Sequence, residues 1–267
     1  MNTPVLEVTN LSKNFGGLRA LNEVDLTINR QEIVALIGPN GAGKTTFFNC
    51  ITGIYLPTEG TVQLHLPERN GKPASSTTLN GMKPNEITSL GMARTFQNIR
   101  LFKELSVIDN IKVGLHESMK YDLASSLIRL PNYWKEEKHC TERAFELLDI
   151  FHMADLADTL AGSLPYGAQR RLEIMRALAT SPKLLLLDEP AAGMNPSETA
   201  ELTETIRRIR DEFNIAVLLI EHDMSLVMGI CEGIAVLNFG RVIAKGTPDE
   251  IRNNPQVIEA YLGKKEG

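Results

Sequence analysis

The sequence predicts an α/β protein built on a parallel β-sheet, and three apolar runs support this prediction. Residues 33–37, 184–187 and 215–220 are short, wholly apolar segments, as expected of strands that are buried on both faces of a sheet. Glycine or acidic residues follow each run directly. Because parallel α/β sheets place ligands at the carboxyl ends of their strands, we expect the residues after the three runs to form one site.

The composition is that of an ordinary globular protein and excludes several classes of partner. Of the 267 residues, 43% are hydrophobic and 23% are charged, and the net charge of −5 gives no electrostatic reason to expect a nucleic-acid partner. Cys50, Cys140 and Cys231 are too widely spaced for a disulfide framework or a metal cluster, which predicts a reduced cytoplasmic setting. We expect no secretory signal, because residues 1–10 lack a basic patch followed by an apolar core, and no membrane span, because no window approaches 18 apolar residues.

A glycine-rich segment follows the first predicted strand. Residues 38–46, with the sequence Gly-Pro-Asn-Gly-Ala-Gly-Lys-Thr-Thr, match the phosphate-binding pattern G-x-x-x-x-G-K-[ST] and lead into a helix-compatible segment that stops at Gly53. The glycines let backbone N–H groups approach a phosphate, Lys44 supplies a cation, and Thr45 supplies a hydroxyl to Mg²⁺. The predicted nucleotide-binding residues of this loop are Gly38, Asn40, Gly41, Ala42, Gly43, Lys44, Thr45 and Thr46.

Two carboxylates and a histidine follow the other two buried runs. Asp188 and Glu189 come directly after residues 184–187, and His222 comes just after residues 215–220. We predict that Asp188 holds Mg²⁺ through water, that Glu189 acts as general base on a water molecule, and that His222 donates a hydrogen bond to a γ-phosphate. The alternatives are a solvated turn and a structural histidine. A chain that already carries a phosphate-binding loop favours the site.

The N-terminal part of the chain predicts an antiparallel β layer against this core. Residues 5–9 and 21–28 alternate between apolar and polar side chains, as expected of half-buried strands. Phe15, between them, either stacks on an adenine ring or is a core residue under a turn. Residues 91–97 predict a further strand that ends at Gln97. The amide of Gln97 can both donate and accept, which suits a residue that senses a bound metal ion or water. The alternative is an ordinary polar residue.

Residues 103–180 predict a helical subdomain inserted into the α/β core. Residues 141–153 carry apolar side chains at helical spacing, whereas residues 121–140 are less regular. A further helix is predicted over residues 170–180, with a polar face formed by Arg170, Arg171 and Arg176. The predicted division is residues 1–102 for the β layer and the first part of the core, 103–180 for the helical subdomain, and 181–267 for the rest of the core and a C-terminal helix.

Five features, in this order, resemble the ABC ATPase family along nearly the whole chain. They are residues 38–46, Gln97, residues 164–170, residues 184–189 and His222. The resemblance implies that they are the Walker A loop, the Q-loop, the signature motif, Walker B with its glutamate, and the switch histidine. It implies ATP and Mg²⁺ as cofactors and Phe15 as the adenine-stacking side chain. The implied catalytic residues are Glu189, His222, Lys44 and Gln97, and the implied metal ligands are Thr45, Gln97 and Asp188.

Further segments are similar to one group within that family, the ATP-binding subunits of bacterial branched-chain amino acid importers of the LivG type. They are residues 94–102, 170–174, 188–196, 221–224 and 251–263. This resemblance implies ATP hydrolysis coupled to uptake, at the cytoplasmic face of the inner membrane. The implied partners are a second, different ATPase subunit, two membrane permeases and, indirectly, a periplasmic substrate-binding protein. A homodimer of the isolated subunit is the alternative.

The signature motif departs from the family pattern Leu-Ser-Gly-Gly-Gln. This chain has Leu164, Pro165, Tyr166, Gly167 and Ala168 instead. In the family the serine hydroxyl contacts the γ-phosphate held by the opposite subunit. Pro165 has neither a hydroxyl nor an N–H, a loss of about 1–3 kcal/mol where the contact is buried. Asn195 likewise replaces the aspartate usual in the D-loop. We therefore expect functional asymmetry, in which the nucleotide site completed by Pro165 is the weaker of two.

Three alternative functions share the ATPase chemistry or its loop. A soluble ABC protein without permeases would carry two cassettes or a long coiled-coil insert, and this chain has neither. A small-molecule kinase would need a lid and an acceptor site in place of a signature helix and a switch histidine. The third alternative is the ATPase of a lipid or lipopolysaccharide exporter. Only the family resemblance distinguishes it from the ATPase of an importer, so this alternative stays open.

Overall fold

A six-stranded sheet forms the centre of the computed structural model, which describes residues 3–66, 74–115 and 131–262. Its strands are β3 (Ile33–Ile37), β6 (Met92–Arg94), β7 (Leu184–Asp188), β8 (Ala216–Ile220), β9 (Gly233–Asn238) and β10 (Arg241–Gly246). They lie in the order β10-β9-β3-β8-β7-β6, and all pairs are parallel except β10 with β9. The parallel sheet is confirmed, and the three strands predicted from apolar runs are direct neighbours.

A second, antiparallel sheet confirms the predicted N-terminal β layer. Among the described residues it contains β1 (Pro4–Phe15), β2 (Leu18–Asn29), β4 (Glu59–Leu66) and β5 (Ser75–Thr78), in the order β2-β1-β4-β5. β1 is longer than the run over residues 5–9 that predicts it, because bulges let the pairing with β2 continue to Phe15. The chain then reverses through Gly16 and Gly17, and Gly16 has a φ of 57°.

The central strands are buried on both faces, which divides the apolar core into two layers. Ile33 and Ala35 of β3 pack with helices on one face of the sheet. Val34 and Leu36 lie on the other face, in one cluster with apolar side chains of β1, of β2 and of helix α1 (Lys44–Ile51). α1 is therefore fixed in the layer that joins the two sheets, and its first residue lies at the end of the loop after β3.

The remaining helices follow the order of the chain. They are α2 (Pro84–Ser89), α3 (Val107–Leu115), α4 (Pro131–Ile150), α5 (Tyr166–Ala179), α6 (Pro196–Phe213), α7 (Met224–Ile230), α8 (Pro248–Arg252) and α9 (Pro255–Leu262). α5 packs against both α3 and α4, so these three helices form one group beside the large sheet. No helix in the described parts of the chain combines the length and the apolar composition needed to cross a membrane.

α4 starts earlier than the sequence predicts. It begins at Pro131, before the segment 141–153 whose apolar spacing predicts a helix. Proline suits this position, because the first turn of a helix leaves its N–H groups unpaired in any case and the ring presets a helical φ. Residues 121–130, where the sequence pattern is also less regular, lie outside the described residues.

β6 is shorter than the strand predicted over residues 91–97. It ends at Arg94, and one further N–H bonds to β7 (2.9 Å). The N–H of Phe96 then bonds to the carboxylate of Glu173 in α5 (3.3 Å). The chain therefore leaves the sheet before Gln97, which lies in a loop.

The sequence Asn195-Pro196 predicts the start of a helix, with asparagine as N-cap and proline at the first position, and α6 begins there. Asn195 is the N-cap, and its Oδ1 accepts the N–H groups of Ser197 (2.9 Å) and Glu198 (3.0 Å). The Glu198 carboxylate accepts the Asn195 N–H in return (2.9 Å), and Pro196 occupies the first helical position. This capping box fixes the point at which the chain that leaves β7 enters α6.

The Asn195→Ala variant is expected to lower the thermal stability of the protein. The change removes the acceptor of two backbone N–H groups, which costs about 1 kcal/mol and lowers the melting temperature by about 2–4 °C. Asn195→Asp keeps the acceptor oxygen and should melt close to the wild-type temperature. Differential scanning calorimetry of the nucleotide-free proteins measures both. Equal melting of the alanine variant and the wild type would contradict a stabilising cap.

Candidate functional site

Glycines shape the loop between β3 and α1. Gly38 has a φ of 152°, and a Cβ atom at this position would lie 2.0 Å from the carbonyl oxygen of Leu237. Gly41 and Gly43 also have positive φ values, 78° and 107°, a backbone conformation that is strained for residues with a side chain. The loop therefore requires glycine at these positions to turn into α1.

The start of α1 offers donors to an anion. Its N-cap is Gly43, which has no side chain to accept the N–H groups of the first turn, so these groups are available to a phosphate. Lys44 is buried, and its Nζ donates to the carbonyls of Gly38 (2.6 Å) and Pro39 (3.0 Å). Burial lowers the pKa of the Lys44 ammonium, and the negative charges at the end of β7 oppose this effect. A phosphate would be a stronger partner for this cation than two neutral carbonyls.

The structure brings Glu189, Gln97 and His222 together beside this loop. Glu189 Oε1 lies 2.9 Å from Nε2 of His222, and Glu189 Oε2 accepts a hydrogen bond from Nε2 of Gln97 (3.0 Å). Glu189 follows β7 and has a φ of 49°, a left-handed conformation that is uncommon outside glycine. One carboxylate is therefore oriented by both an amide and an imidazole.

Asp188 is held in a buried ion pair that the sequence does not predict. Its Oδ2 lies 2.8 Å from Nη2 of Arg94, and the exposed fractions of the two side chains are 4% and 8%. Arg94 also donates to Asn49 Oδ1 (2.7 Å) and to Thr52 Oγ1 (3.2 Å), which belong to α1 and the turn after it. The arginine therefore engages one carboxylate oxygen of Asp188 and leaves the other, Oδ1, for a metal ion or its water.

An open cleft of about 430 Å³ lies over the loop, a volume typical of small-molecule sites. Its lining residues are Phe15, Leu18, Ala20, Asn40, Gly41, Ala42, Gly43, Lys44, Thr45, Thr46, Gln97, Glu189 and His222, whereas Gly38 and Asp188 do not line it. Phe15 is 41% exposed, with its ring edge-on to Tyr55 (5.2 Å between centroids) and 5.0 Å from Nζ of Lys13. The alternative prediction that Phe15 is a core residue is therefore wrong, and its ring is accessible to a planar ligand.

The sequence predicts Arg170 on a polar helix face, and the structure places it in the interior. The prediction of a polar helix face is wrong for this residue, because its side chain is fully buried. α5 begins at Tyr166 and places Arg170 against the end of β7, where its Nη2 donates to the carbonyl oxygens of Asp188 and Glu189. Its neighbour Arg171 lies nearer the surface, in an ion pair with an acidic side chain of α6 (2.8 Å).

The predicted signature residues lie apart from the cleft of their own chain. Leu164 and Ala168 are buried, whereas Pro165 and Tyr166 are exposed at the start of α5. Pro165 is the N-cap of α5 and has no side-chain acceptor for the first N–H groups of the helix. None of residues 164–168 is among the described residues that line the cleft.

Tyr261 of α9 belongs to no predicted set and contacts the phosphate-binding loop. Burial raises the pKa of the Tyr261 phenol, and the backbone of Gly38 beside it opposes this rise. In the sequence, the only signal near it is the resemblance over residues 251–263. The C-terminal helix therefore supports the point at which β3 enters the loop.

Comparison with protein families gives two matches. The family model described as ABC transporter matches residues 21–192, which include the phosphate-binding loop, Gln97 and Glu189. The model described as branched-chain amino acid ATP-binding cassette transporter matches residues 241–266, which include β10 and Tyr261. The two matches therefore cover most of the cleft and the C-terminal helix that lies beside the phosphate-binding loop.

The chain is similar to curated proteins and solved structures over nearly its full length. It is 49% identical to the high-affinity branched-chain amino acid transport ATP-binding protein LivG of Salmonella typhimurium, over 99% of this chain and 100% of that protein. It is 46% identical to BraF of Pseudomonas aeruginosa, which has the same description, with the same coverage. A crystal structure of the ADP conformation of an ATP-binding cassette of an ABC transporter has a TM-score of 0.81 and 30% identity, over 98% of this chain and 100% of that chain.

The Lys44→Ala variant is expected to bind ATP at least about tenfold more weakly than the wild type, because it removes a charge-assisted contact to phosphate of about 1.4 kcal/mol or more. Titration with a fluorescent ATP analogue measures the affinity. Lys245→Ala, which changes an exposed lysine of β10, is the matched control and should bind like the wild type. An unchanged affinity of Lys44→Ala would show that the cation does not contact the nucleotide.

Proposed function

Because the chain belongs to the ABC transporter family of ATP-binding proteins, we propose that it hydrolyses ATP to drive the import of branched-chain amino acids. The observation that carries this proposal is the carboxylate of Glu189, which Gln97 and His222 orient at the cleft over the phosphate-binding loop. The substrate class is supported by the relatives, LivG and BraF, and by the family match over residues 241–266.

The cleft accommodates ATP with its adenine on Phe15 and its phosphates along the loop. The exposed ring of Phe15 offers an apolar platform for a base. The phosphates bind to the backbone N–H groups of Gly41, Gly43, Lys44 and Thr46 and to the Lys44 ammonium. To reach them, the ammonium gives up its hydrogen bonds to the carbonyls of Gly38 and Pro39. Binding thus replaces neutral acceptors of a buried cation by anionic ones.

The donor set fits Mg²⁺ that arrives with the nucleotide. Thr45 offers a hydroxyl, Asp188 its Oδ1, and Gln97 its amide oxygen, since the Gln97 amide nitrogen is already bonded to Glu189. In the described parts of the chain, no three His, Cys, Asp or Glu side chains lie close enough to hold a metal ion by themselves. Mg²⁺ prefers to complete its shell with phosphate oxygens and water, and when bound it neutralises charge on the β- and γ-phosphates.

Glu189 is the residue that we assign as general base. Each of its oxygens accepts one hydrogen bond in this structure, and a carboxylate oxygen has a second lone pair for a water molecule. A water held there attacks the γ-phosphorus, its proton passes to Glu189, and the bond to the β-phosphate oxygen breaks, which converts ATP and water to ADP and phosphate. His222 holds the carboxylate through Nε2 in this structure, and in the proposal this donor turns to the γ-phosphate when ATP is bound.

A second ATPase subunit completes each nucleotide site in this proposal. ATP-binding subunits of ABC transporters work as dimers with membrane components. Because residues 164–168 lie apart from the cleft of their own chain, they are free to face the nucleotide of the other subunit. A different partner subunit is favoured over a homodimer, because Pro165 offers no hydroxyl to that nucleotide. This supports the predicted asymmetry between the two sites.

The permeases are proposed to contact a groove between the large sheet and the helical group. It has a volume of about 460 Å³ and is lined by residues of the loop after Gln97, of α3 and of α5. Phe102 is 50% exposed there, below the guanidinium of Arg176 (5.5 Å from its ring centroid). Two permeases and, through them, a periplasmic binding protein would place the chain at the cytoplasmic face of the inner membrane. Residues 103–180 would then move as one unit against residues 1–102 and 181–267.

The test is a pull-down of tagged Glu189→Gln protein from detergent-solubilised native membranes with ATP, followed by identification of the proteins that co-purify. We expect two permeases, a second ATPase and an amino-acid-binding protein. A second variant, which adds Phe102→Asp, should lose the permeases and keep the second ATPase, because the new charge lies in the groove and away from the cleft. Recovery of the chain alone, of ribosomes, or of a lipid exporter would contradict the import function.

A further inference from the structure

A buried ion pair joins α5 to the end of β7 and to the loop that carries Gln97. The Arg170 side chain is fully buried, with 0% of its surface accessible to solvent. Its Nη2 donates to the backbone carbonyls of Asp188 and Glu189, the latter at 2.8 Å. Its Nη1 donates to the carbonyl of Phe96 and to Glu173 Oε2, the latter at 2.7 Å.

These contacts hold the backbone at Glu189 in a conformation that it would not adopt by itself. A φ of 49° is disfavoured for a residue with a side chain, so surrounding contacts must maintain it. The Glu189 N–H donates to the carbonyl of Ile220 (2.9 Å), and the Glu189 carbonyl accepts both Arg170 and the N–H of Ala192 (3.2 Å). Of these partners, Arg170 is the one that belongs to another segment and carries a charge. The direction of the Glu189 side chain therefore depends on where α5 places Arg170.

Glu173 connects the same pair to the loop after β6. Its Oε1 accepts the N–H groups of both Phe96 and Arg100, each at 3.3 Å. These two residues bracket Gln97, whose amide orients the Glu189 carboxylate. Glu173 also lines the groove that we assign to the permeases. One side chain thus touches the groove, the loop and the arginine that holds Glu189.

A contribution to folding stability alone does not account for the pair. Replacing a buried ion pair by apolar side chains of similar volume is often neutral or stabilising, because desolvation of the charges offsets their attraction. What the charges add is a fixed orientation of the groups that they bind, since a guanidinium binds several acceptors in one plane. Here those acceptors are backbone carbonyls at the end of β7 and in the loop after β6, the two segments that carry Glu189 and Gln97.

We propose that Arg170 and Glu173 are positioning residues that couple the signature end of α5 and the permease groove to the orientation of Glu189. α5 begins at Tyr166, so Arg170 lies about one turn after the exposed signature residues. A shift of α5, caused by a nucleotide at the signature or by a permease in the groove, moves Arg170 and thereby turns Glu189 towards or away from its water. This inference rests on the proposed role of Glu189 as general base.

The test uses the double variant Arg170→Met/Glu173→Met in the assembled transporter, because it removes both charges and leaves neither buried and unpaired. We expect its ATP affinity to match the wild type, since neither residue lines the nucleotide cleft, and its melting temperature to fall, since the backbone carbonyls that Arg170 binds lose their donor. We expect kcat to fall at least tenfold with KM for ATP changed by less than about twofold. Stimulation of turnover by the amino-acid-loaded binding protein should also be lost. Arg208→Met, which changes a surface arginine of α6 in an ion pair, is the matched control and should retain wild-type turnover.

A folded double variant with wild-type kcat and wild-type stimulation would overturn the inference. If the double variant does not fold, the single variant Glu173→Gln decides, because it keeps the shape of the side chain and one oxygen for the N–H groups of Phe96 and Arg100, whereas its amide nitrogen cannot accept from Arg170. Wild-type turnover and stimulation in that variant would also overturn the inference. The proposed function fails separately, if Glu189→Gln in the same transporter retains turnover. Loss of turnover in Glu189→Gln with full turnover in the double variant would therefore reject the coupling and leave the ATPase mechanism in place.

Discussion

The parallel pairing of β3, β8 and β7 is the constraint on which the site depends. Parallel neighbours end at the same edge of the sheet, so the segments that follow them must converge. The loop after β3 supplies Lys44, the end of β7 supplies Asp188 and Glu189, and the segment after β8 supplies His222. The remaining elements hold this edge in place: α1 packs between the sheets, and α5 and the loop after β6 close it from the other side.

Features that depend on neighbouring residues could be predicted from the sequence. The three buried strands, the glycine loop and the Asn195 cap each follow from a short local pattern, and the edge rule correctly brings Glu189 and His222 together. Arg170 and Arg94 could not be predicted in the same way. Each resembles a surface charge, and each is buried against Asp188 at the end of β7, which lies 18 positions from Arg170 and 94 positions from Arg94 along the chain. Local periodicity contains no information about such partners.

Both buried arginines act on the residues that end β7. Arg94 holds the Asp188 carboxylate from the side of α1, and Arg170 holds the Asp188 and Glu189 carbonyls from the side of α5. Arg94 therefore pairs with the Asp188 carboxylate, whereas Arg170 fixes the backbone that carries both carboxylates. This fixed backbone reduces the reorganisation that the Glu189 side chain needs when a triphosphate enters.

The measurement that tests this account most directly is the ATP turnover of the assembled transporter with Glu189→Gln. A missing general base lowers turnover by about 10²- to 10⁴-fold, and the isosteric amide keeps the shape of the site, so ATP affinity should stay at the wild-type value. Retained turnover together with normal ATP binding would contradict the account, because it would assign the proton transfer to a group other than the carboxylate that Gln97 and His222 orient.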